Sequence, residues 1–366
     1  MIAVLTSGFG LGVHVPGLLL SRRLGELGVR SRVDVLEGFW RPERRARIAA
    51  SKRAYQQDFR MAQLGSRLFR TLDDSFDPSA SEALTASWRA EGVDRFVVFS
   101  GFWLPVVEHY LAESGDDPQV DTCDVKVDTC HVDAVPAPSF ARQADSMARH
   151  RNIWLVHDDG TVPWTIRPAT APPVPWSARE ERFLAHGGGW GMGTYLTYAT
   201  EMAAKGMALD IVVRTSDDVQ SLRTAAGLDP RSRLFMLDPE WSPWHDSGFP
   251  PFGEVSDGTP PVYRRSESQH ESLALTRNAL GVISKPGGGT LIDTFGSATP
   301  LIMLAAFGEH EKHNARVWEE LGFGIPFATW RDHGYSVKLL EELHARILEH
   351  QSVPADYAAE LVSPMR

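Results

Sequence analysis

At 366 residues, with 43% hydrophobic and 23% charged residues, the chain has the composition of a globular protein long enough for two separate cores. Its 37 Lys+Arg against 47 Asp+Glu leave a net charge of −10, which argues against broad nucleic-acid binding. No apolar stretch reaches the ~20 residues of a membrane-spanning helix. The apolar residues 1–20 lack a positive leader and are broken by Gly8, Gly10, Gly12 and Pro16, so a signal peptide is not expected either.

Ile2-Ala-Val-Leu-Thr6 reads as a buried strand, Ser7 to Gly12 as a glycine-rich loop, and Pro16 to Leu27 as a helix with proline near its start; together they make a βα unit. Arg41 to Arg70 holds nine Lys and Arg against Glu43 and Asp58, with Met61, Leu64, Leu68 and Leu72 at helical spacing. This is an amphipathic basic helix or helix pair, either a solvated face or a surface for an acidic acceptor or peripheral contact with an anionic membrane. Apolar runs at Arg32–Leu36, Phe96–Phe99 and Ile153–Val156 supply further strands, so residues 1–165 read as one α/β domain with a parallel sheet. Cys123 and Cys130 match neither a redox nor a zinc spacing, and a reduced, cytoplasmic protein is the expectation.

Residues 166–177 are proline-rich and form an extended interdomain connector. A second α/β domain, residues 178–350, opens on Phe183-Leu-Ala-His-Gly-Gly-Gly-Trp-Gly-Met-Gly-Thr194. Its further strands are expected at Ile211–Arg214, Leu234–Leu237, Pro261–Tyr263 and Leu280–Ile283. Residues 351–366 form a tail. Neither glycine loop has the spacing of a dinucleotide fingerprint. Trp40, Trp103, Trp241 and Trp244 are either core aromatics or platforms for a sugar or base.

The segment Leu280-Gly-Val-Ile-Ser-Lys-Pro-Gly-Gly-Gly-Thr-Leu-Ile-Asp293 carries the functional reading. An apolar strand runs into three glycines and then a helix, whose free N–H groups together with Lys285 and Thr290 suit an anion, most simply a phosphate group. Asp293 lies on the helix three residues past Thr290, placed to accept hydrogen bonds from ribose hydroxyls. A nucleotide fits better than bare phosphate.

Residues 280–324, with that segment, Thr299-Pro300, Glu309-His-Glu-Lys-His-Asn-Ala315 and Gly322-Phe-Gly324, resemble the donor-binding half of GT-B nucleotide-sugar glycosyltransferases, the peptidoglycan N-acetylglucosaminyltransferases among them. The N-terminal Gly8-Phe-Gly-Leu-Gly-Val-His14-Val-Pro16 is similar to the element in which glycines lead to a His and then a Pro. The resemblance implies two Rossmann-like domains with an interdomain cleft. It also implies donor-phosphate contacts from Gly287, Gly288, Gly289, Thr290, Gly189 and Gly191, ribose contact from Asp293, and donor-sugar contact from Glu309, His310 and Glu311. The tail would pack back on the first domain. His14 would be the catalytic base, removing the acceptor proton. Two departures stand out: Lys285-Pro286 replaces small residues, and Ser100-Gly-Phe-Trp-Leu-Pro105 lacks the Asp that orients the base in plant-type members, so that either another acid such as Asp133 or Glu108 serves or there is no dyad.

Glu311 and Glu319 follow Thr299-Pro300 and read as a helical face, not as the paired acids of retaining enzymes, so inversion is expected. His310-Glu-Lys-His313 lacks a metal-binding arrangement, and neither metal nor cofactor is expected beyond the nucleotide-sugar co-substrate, most simply UDP- or dTDP-linked. The expected reaction is inverting transfer of a sugar to a small-molecule or lipid-like acceptor. The competing readings are a nucleotide-sugar epimerase or hydrolase on the same fold, and a catalytically inactive partner protein.

Overall fold

The computed structural model describes residues 1–68, 75–115, 125–225 and 228–363. Cys123, Arg70, Leu72 and residues 364–366 lie outside them, as does the side chain of Leu68. The first sheet comprises β1 (Ile2–Thr6), β2 (Ser31–Val35), β3 (Arg95–Val98), β4 (Lys126–His131) and β5 (Arg151–Trp154), in the order β2-β1-β3-β4-β5. All pairings are parallel, with Ile2 opposite both Ser31 and Arg95. β1 is buried along its whole length, as a parallel strand covered on both faces must be, and this is why it reads as an unbroken apolar run.

After β6 (Trp164–Thr165) and the proline-rich connector come β7 (Phe183–Ala185), β8 (Leu209–Val213), β9 (Arg233–Leu237), β10 (Phe252–Glu254), β11 (Gly281–Ser284), β12 (Leu301–Met303) and β13 (Gly324–Pro326). They form a second sheet, ordered β10-β9-β8-β7-β11-β12-β13, in which β10 alone runs antiparallel to its neighbour. Finally β14 (Ala355–Asp356) pairs with β6, and the helix Tyr357–Val362 lies against the first sheet, where the Tyr357 hydroxyl donates to Asp128 Oδ2 at 2.9 Å.

Three local expectations are revised. The first helix spans Leu11–Glu26 and carries Pro16 inside it, so Gly12 is helical and the loop is shorter than the glycines suggested. Pro261–Tyr263 is not a strand; two consecutive prolines remove its donors, and only Arg264 bridges to Phe252. β4 is a strand that apolar patterning misses, because it buries Asp128, Thr129 and His131, whose partners lie far away in sequence.

Arg179 ties the connector to the second domain. Its guanidinium donates to the carbonyls of Ala279 (2.7 Å), Ser297 (2.7 Å), Ala298 (3.3 Å) and Val174 (3.2 Å) and to Thr299 Oγ1 (2.7 Å). Ser297 and Ala298 end the helix Gly288–Ser297, with Ala298 left-handed at φ 50°, so the cation satisfies carbonyls at the negative end of that helix's dipole. Burial pushes its pKa down to about 10, and it stays charged at neutral pH. Arg179→Met strands these carbonyls and should cost about 3 kcal/mol in a urea melt, a loss that Arg277→Met, whose side chain bonds only to the exposed carbonyls of Ala171 and Pro172, should not reproduce.

Candidate functional site

In an open α/β sheet the carboxyl ends of the strands beside the point where strand order reverses form a natural binding crevice. Here the ends of β1, β3 and β4 face those of β7 and β11 across a cavity of about 300 Å³. Glycines let the two walls meet. A Cβ on Gly289 would stand 3.2 Å from the Gly12 Cα, one on Gly288 would overlap Val132 at 2.5 Å from Cγ2 and 2.7 Å from its carbonyl oxygen, and one on Gly189 would lie 2.4 Å from the Leu11 Cβ. The helices Leu11–Glu26 and Gly288–Ser297 therefore bring their N-termini together at one cavity.

On the second-domain wall, Gly287 opens the helix Gly288–Ser297 without a side-chain cap, leaving its first-turn N–H groups free for an anion. Gly287, Gly288, Gly289 and Thr290 line the cavity, as does Gly189, while Gly191 does not. Gly191 instead holds φ 65° over the Arg214 side chain. Lys285 reaches between the two glycine loops, its Nζ 3.0 Å from where a Gly287 Cβ would be and 3.8 Å from that of Gly188. The Lys285 ammonium pairs with Glu311 Oε1, while Glu311 Oε2 accepts the Phe307 N–H at 2.6 Å. Glu311 lines the cavity, but its carboxylate is buried and paired with Lys285, so it is not free to meet the donor sugar as the resemblance implied. Glu309 is also corrected: it is exposed, pairs with Lys312, and lies off the cavity. Of the three, His310 alone lines the cavity with an uncommitted face, packed edge-on to Phe307.

Asp293 lines the same wall, with Oδ1 accepting from His270 Nε2 at 3.0 Å while His270 Nδ1 meets Ser272 Oγ at 2.8 Å. One carboxylate oxygen is thereby oriented and the other is left for a ligand. His186 follows β7; its Nδ1 accepts the Gly188 N–H at 3.1 Å, and burial lowers its pKa to about 4. It is a neutral imidazole whose remaining proton sits on Nε2.

The first-domain wall is largely apolar, built from Phe9, Leu11, Val13, Tyr55, Phe102 and Pro138 together with Trp190 from the glycine loop of the second domain. Tyr55 comes from the basic segment, whose helix Pro42–Gln57 holds this loop through Gln56 Nε2 donating to the Trp190 carbonyl at 2.7 Å. The segment's next helix, Phe59–Leu68, leaves Met61 and Leu64 exposed. Trp40, Trp103, Trp241 and Trp244 do not line the cavity. Trp190 was legible only as a bulky residue among glycines, and Tyr55 lay in a stretch whose charge dominated its reading.

His14 is the main correction. It is fully buried and absent from the cavity wall, its Nδ1 3.1 Å from Thr6 Oγ1 and its ring tilted against Trp241. Adjacent helical positions differ by about 100° in direction, and Val13 and Val15 face the cavity while His14 faces the core. Glu108 is remote too, bonded to Ser146 and Arg149; Asp133 lines the cavity. Among the described residues no three His, Cys, Asp or Glu side chains converge as a metal site.

Burial lowers the pKa of His14 from 6.5 to about 4, opposed weakly by the Gly248 carbonyl and Asp246. The unfolded chain therefore takes up this proton first. Stability should fall as pH drops from about 6.5 and the loss should be complete near pH 4, on the order of 3 kcal/mol from His14. Urea melts between pH 4.5 and 7 should show a shallower slope for His14→Gln. Gly288→Val should drive a side chain into Val132 and lower stability by about 2–3 kcal/mol, read in the same melts, where an unchanged midpoint would contradict the close approach.

No protein-family model matches the chain, and no curated protein matches it. Solved structures do. SnogD, a glycosyltransferase from Streptomyces nogalater, aligns over 99% of both chains with a TM-score of 0.52 at 14% identity. The spinosyn rhamnosyltransferase SpnG complexed with thymidine diphosphate aligns over 99% of both chains with a TM-score of 0.52 at 13% identity. MurG of Acinetobacter baumannii aligns over 99% of this chain and 97% of its own, with a TM-score of 0.50 at 13% identity. The chain has the GT-B fold.

Proposed function

We propose that the protein is a glycosyltransferase that moves a sugar from a nucleoside-diphosphate donor, UDP- or dTDP-linked, to a hydroxyl on an apolar small molecule, with inversion. The observation that carries this reading is Lys285, a partly buried cation held by Glu311 between two glycine loops, at the N-terminus of a helix that presents Asp293 to the same cavity. A diphosphate satisfies the amides and the ammonium together, and a ribose beyond it reaches the free oxygen of Asp293. Leu237, Pro250 and Phe252 continue the wall past His270 and suit a nucleobase. His310 is placed for the donor sugar. Thymidine diphosphate, the ligand bound in SpnG, has the chemistry this wall would take.

Transfer breaks the bond between the anomeric carbon and the diphosphate, and negative charge grows on the departing oxygen. Lys285, the first-turn amides of Gly288–Ser297 and the neutral His186 N–H are fixed donors for that charge. The apolar first-domain wall suits an acceptor with a hydrophobic body and so favours transfer over simple hydrolysis. A membrane role for the exposed arginines of the basic segment, beside Met61 and Leu64, has no support beyond their exposure.

The test is a panel of UDP- and dTDP-sugars scored for thermal stabilisation, followed by turnover with aromatic and polyketide-like alcohols. Release of nucleoside diphosphate at the same rate without acceptor would favour a hydrolase, and no stabilisation by UDP or dTDP would sink the proposal. Lys285→Met should weaken UDP or dTDP binding by about 1.5–3 kcal/mol, roughly 10–100-fold, while leaving uridine or thymidine binding unchanged. Pairing it with Glu311→Gln removes the stranded carboxylate and separates the phosphate effect from local misfolding.

A further inference from the structure

With His14 in the core, the cavity lacks the base that the sequence suggested. Accepting the transferase reading above, a hydroxyl acceptor still has to lose its proton as it attacks. On the second-domain wall His310 stands against Phe307, where the donor sugar is placed, and the other titratable groups are engaged. Asp293 is bonded to His270, His270 uses both nitrogens, Glu311 holds Lys285, and His186 keeps its proton on the nitrogen that faces away from Gly188. On the first-domain wall, where the acceptor rests, one carboxylate lines the cavity among the described residues, and it is Asp133.

Asp133 lies two residues beyond β4 and is 6% exposed. Its Oδ1 accepts a hydrogen bond from Asn314 Nδ2 at 2.7 Å. The same Nδ2 donates to the Pro286 carbonyl at 2.9 Å, and Asn314 Oδ1 accepts the Ala134 N–H at 2.8 Å. Asn314 is fully buried, so one amide side chain fixes the Asp133 carboxylate against the residue immediately before the glycine turn. Val132, its chain neighbour, packs on Gly288. Asp133 is therefore held where the acceptor wall meets the donor loop, on the same side of the cavity as Phe102 and Pro138.

We propose that Asp133 is the general base of the transfer. The acceptor O–H proton passes to a carboxylate oxygen of Asp133 as the acceptor oxygen forms its bond to the anomeric carbon. The bond from that carbon to the diphosphate breaks, and its electron pair leaves on the diphosphate toward Lys285. Asp133 then returns the proton to water. The Asn314 bond serves as the orienting contact, as a carboxylate serves a catalytic histidine elsewhere.

The experiment uses the full chain with the UDP- or dTDP-sugar that stabilises it, and two acceptors of one shape, an aryl carbinol and the corresponding arylthiol. An ionised thiol needs no base. Asp133→Asn keeps an oxygen for Asn314 and removes only the basicity. It should retain UDP or dTDP affinity, lose 10²–10⁴-fold in turnover with the alcohol, and transfer to the thiol within a few-fold of the parent. Formate should restore part of the alcohol rate to Asp133→Ala. Equal losses with both acceptors, or undiminished turnover with the alcohol, would make Asp133 a domain latch and overturn the proposal while leaving the transferase reading intact. Failure of the parent protein to transfer to either acceptor would instead count against that reading.

Discussion

The close approach of two helix N-termini organises this molecule. Gly12 and Gly289 meet across the domain boundary, with Gly288 on Val132 and Gly189 on Leu11, and at Gly288 and Gly189 no side chain larger than hydrogen fits without displacing its neighbour. The positive ends of two dipoles consequently share one space. A protein left with that arrangement and no anion would carry unmet donors there, and Glu311 answers part of the positive potential by pairing with Lys285. The carboxylate also keeps the ammonium from wandering, because its second oxygen is tied to the Phe307 N–H.

Around this contact the hydrophobic cores are continuous from one domain to the other. Ile292 belongs to the cluster beneath β1 and β4, while Ala134 and Val156 of the first domain pack with Leu291 and Phe295 of the second. The helix Gly288–Ser297 is anchored at its far end by Arg179 and at its flank by these apolar residues, so its N-terminus is held rigidly where a ligand would meet it. Function and stability draw on the same helix.

The glycine turn and Asp293 were legible in the sequence because local chemistry dictates them: an apolar run, three glycines and a spaced acid have few other uses. What was illegible depends on partners distant in the chain. β4 pairs its buried Asp128 with Tyr357, 229 positions away, and Thr129 and His131 with Asn152. His14 and Val13 cannot be told apart by spacing, since a one-residue shift in where a helix begins decides which faces the cavity. Glu311 was expected at the donor sugar from the family resemblance, which does not reveal the lysine across from it. Of residues 187–193, Gly189 and Gly191 were assigned to phosphate, yet Gly191 is required by Arg214, as Gly187 is by the loop's own backbone, 2.4 Å from the Met192 carbonyl oxygen to a Cβ there.

The chain crosses between the two domains twice, first through the prolines after β6 and again before β14, and the short β14–β6 pairing lays these crossings side by side. Arg23 reinforces the place by binding Asp356 at 2.9 Å. Two straps fastened next to each other behave as a door hinge and not as a swivel. They permit the halves to swing apart but resist twisting about the long axis of the molecule. Any parting of the two halves at this hinge would then return the same pairs of residues to one another on closing.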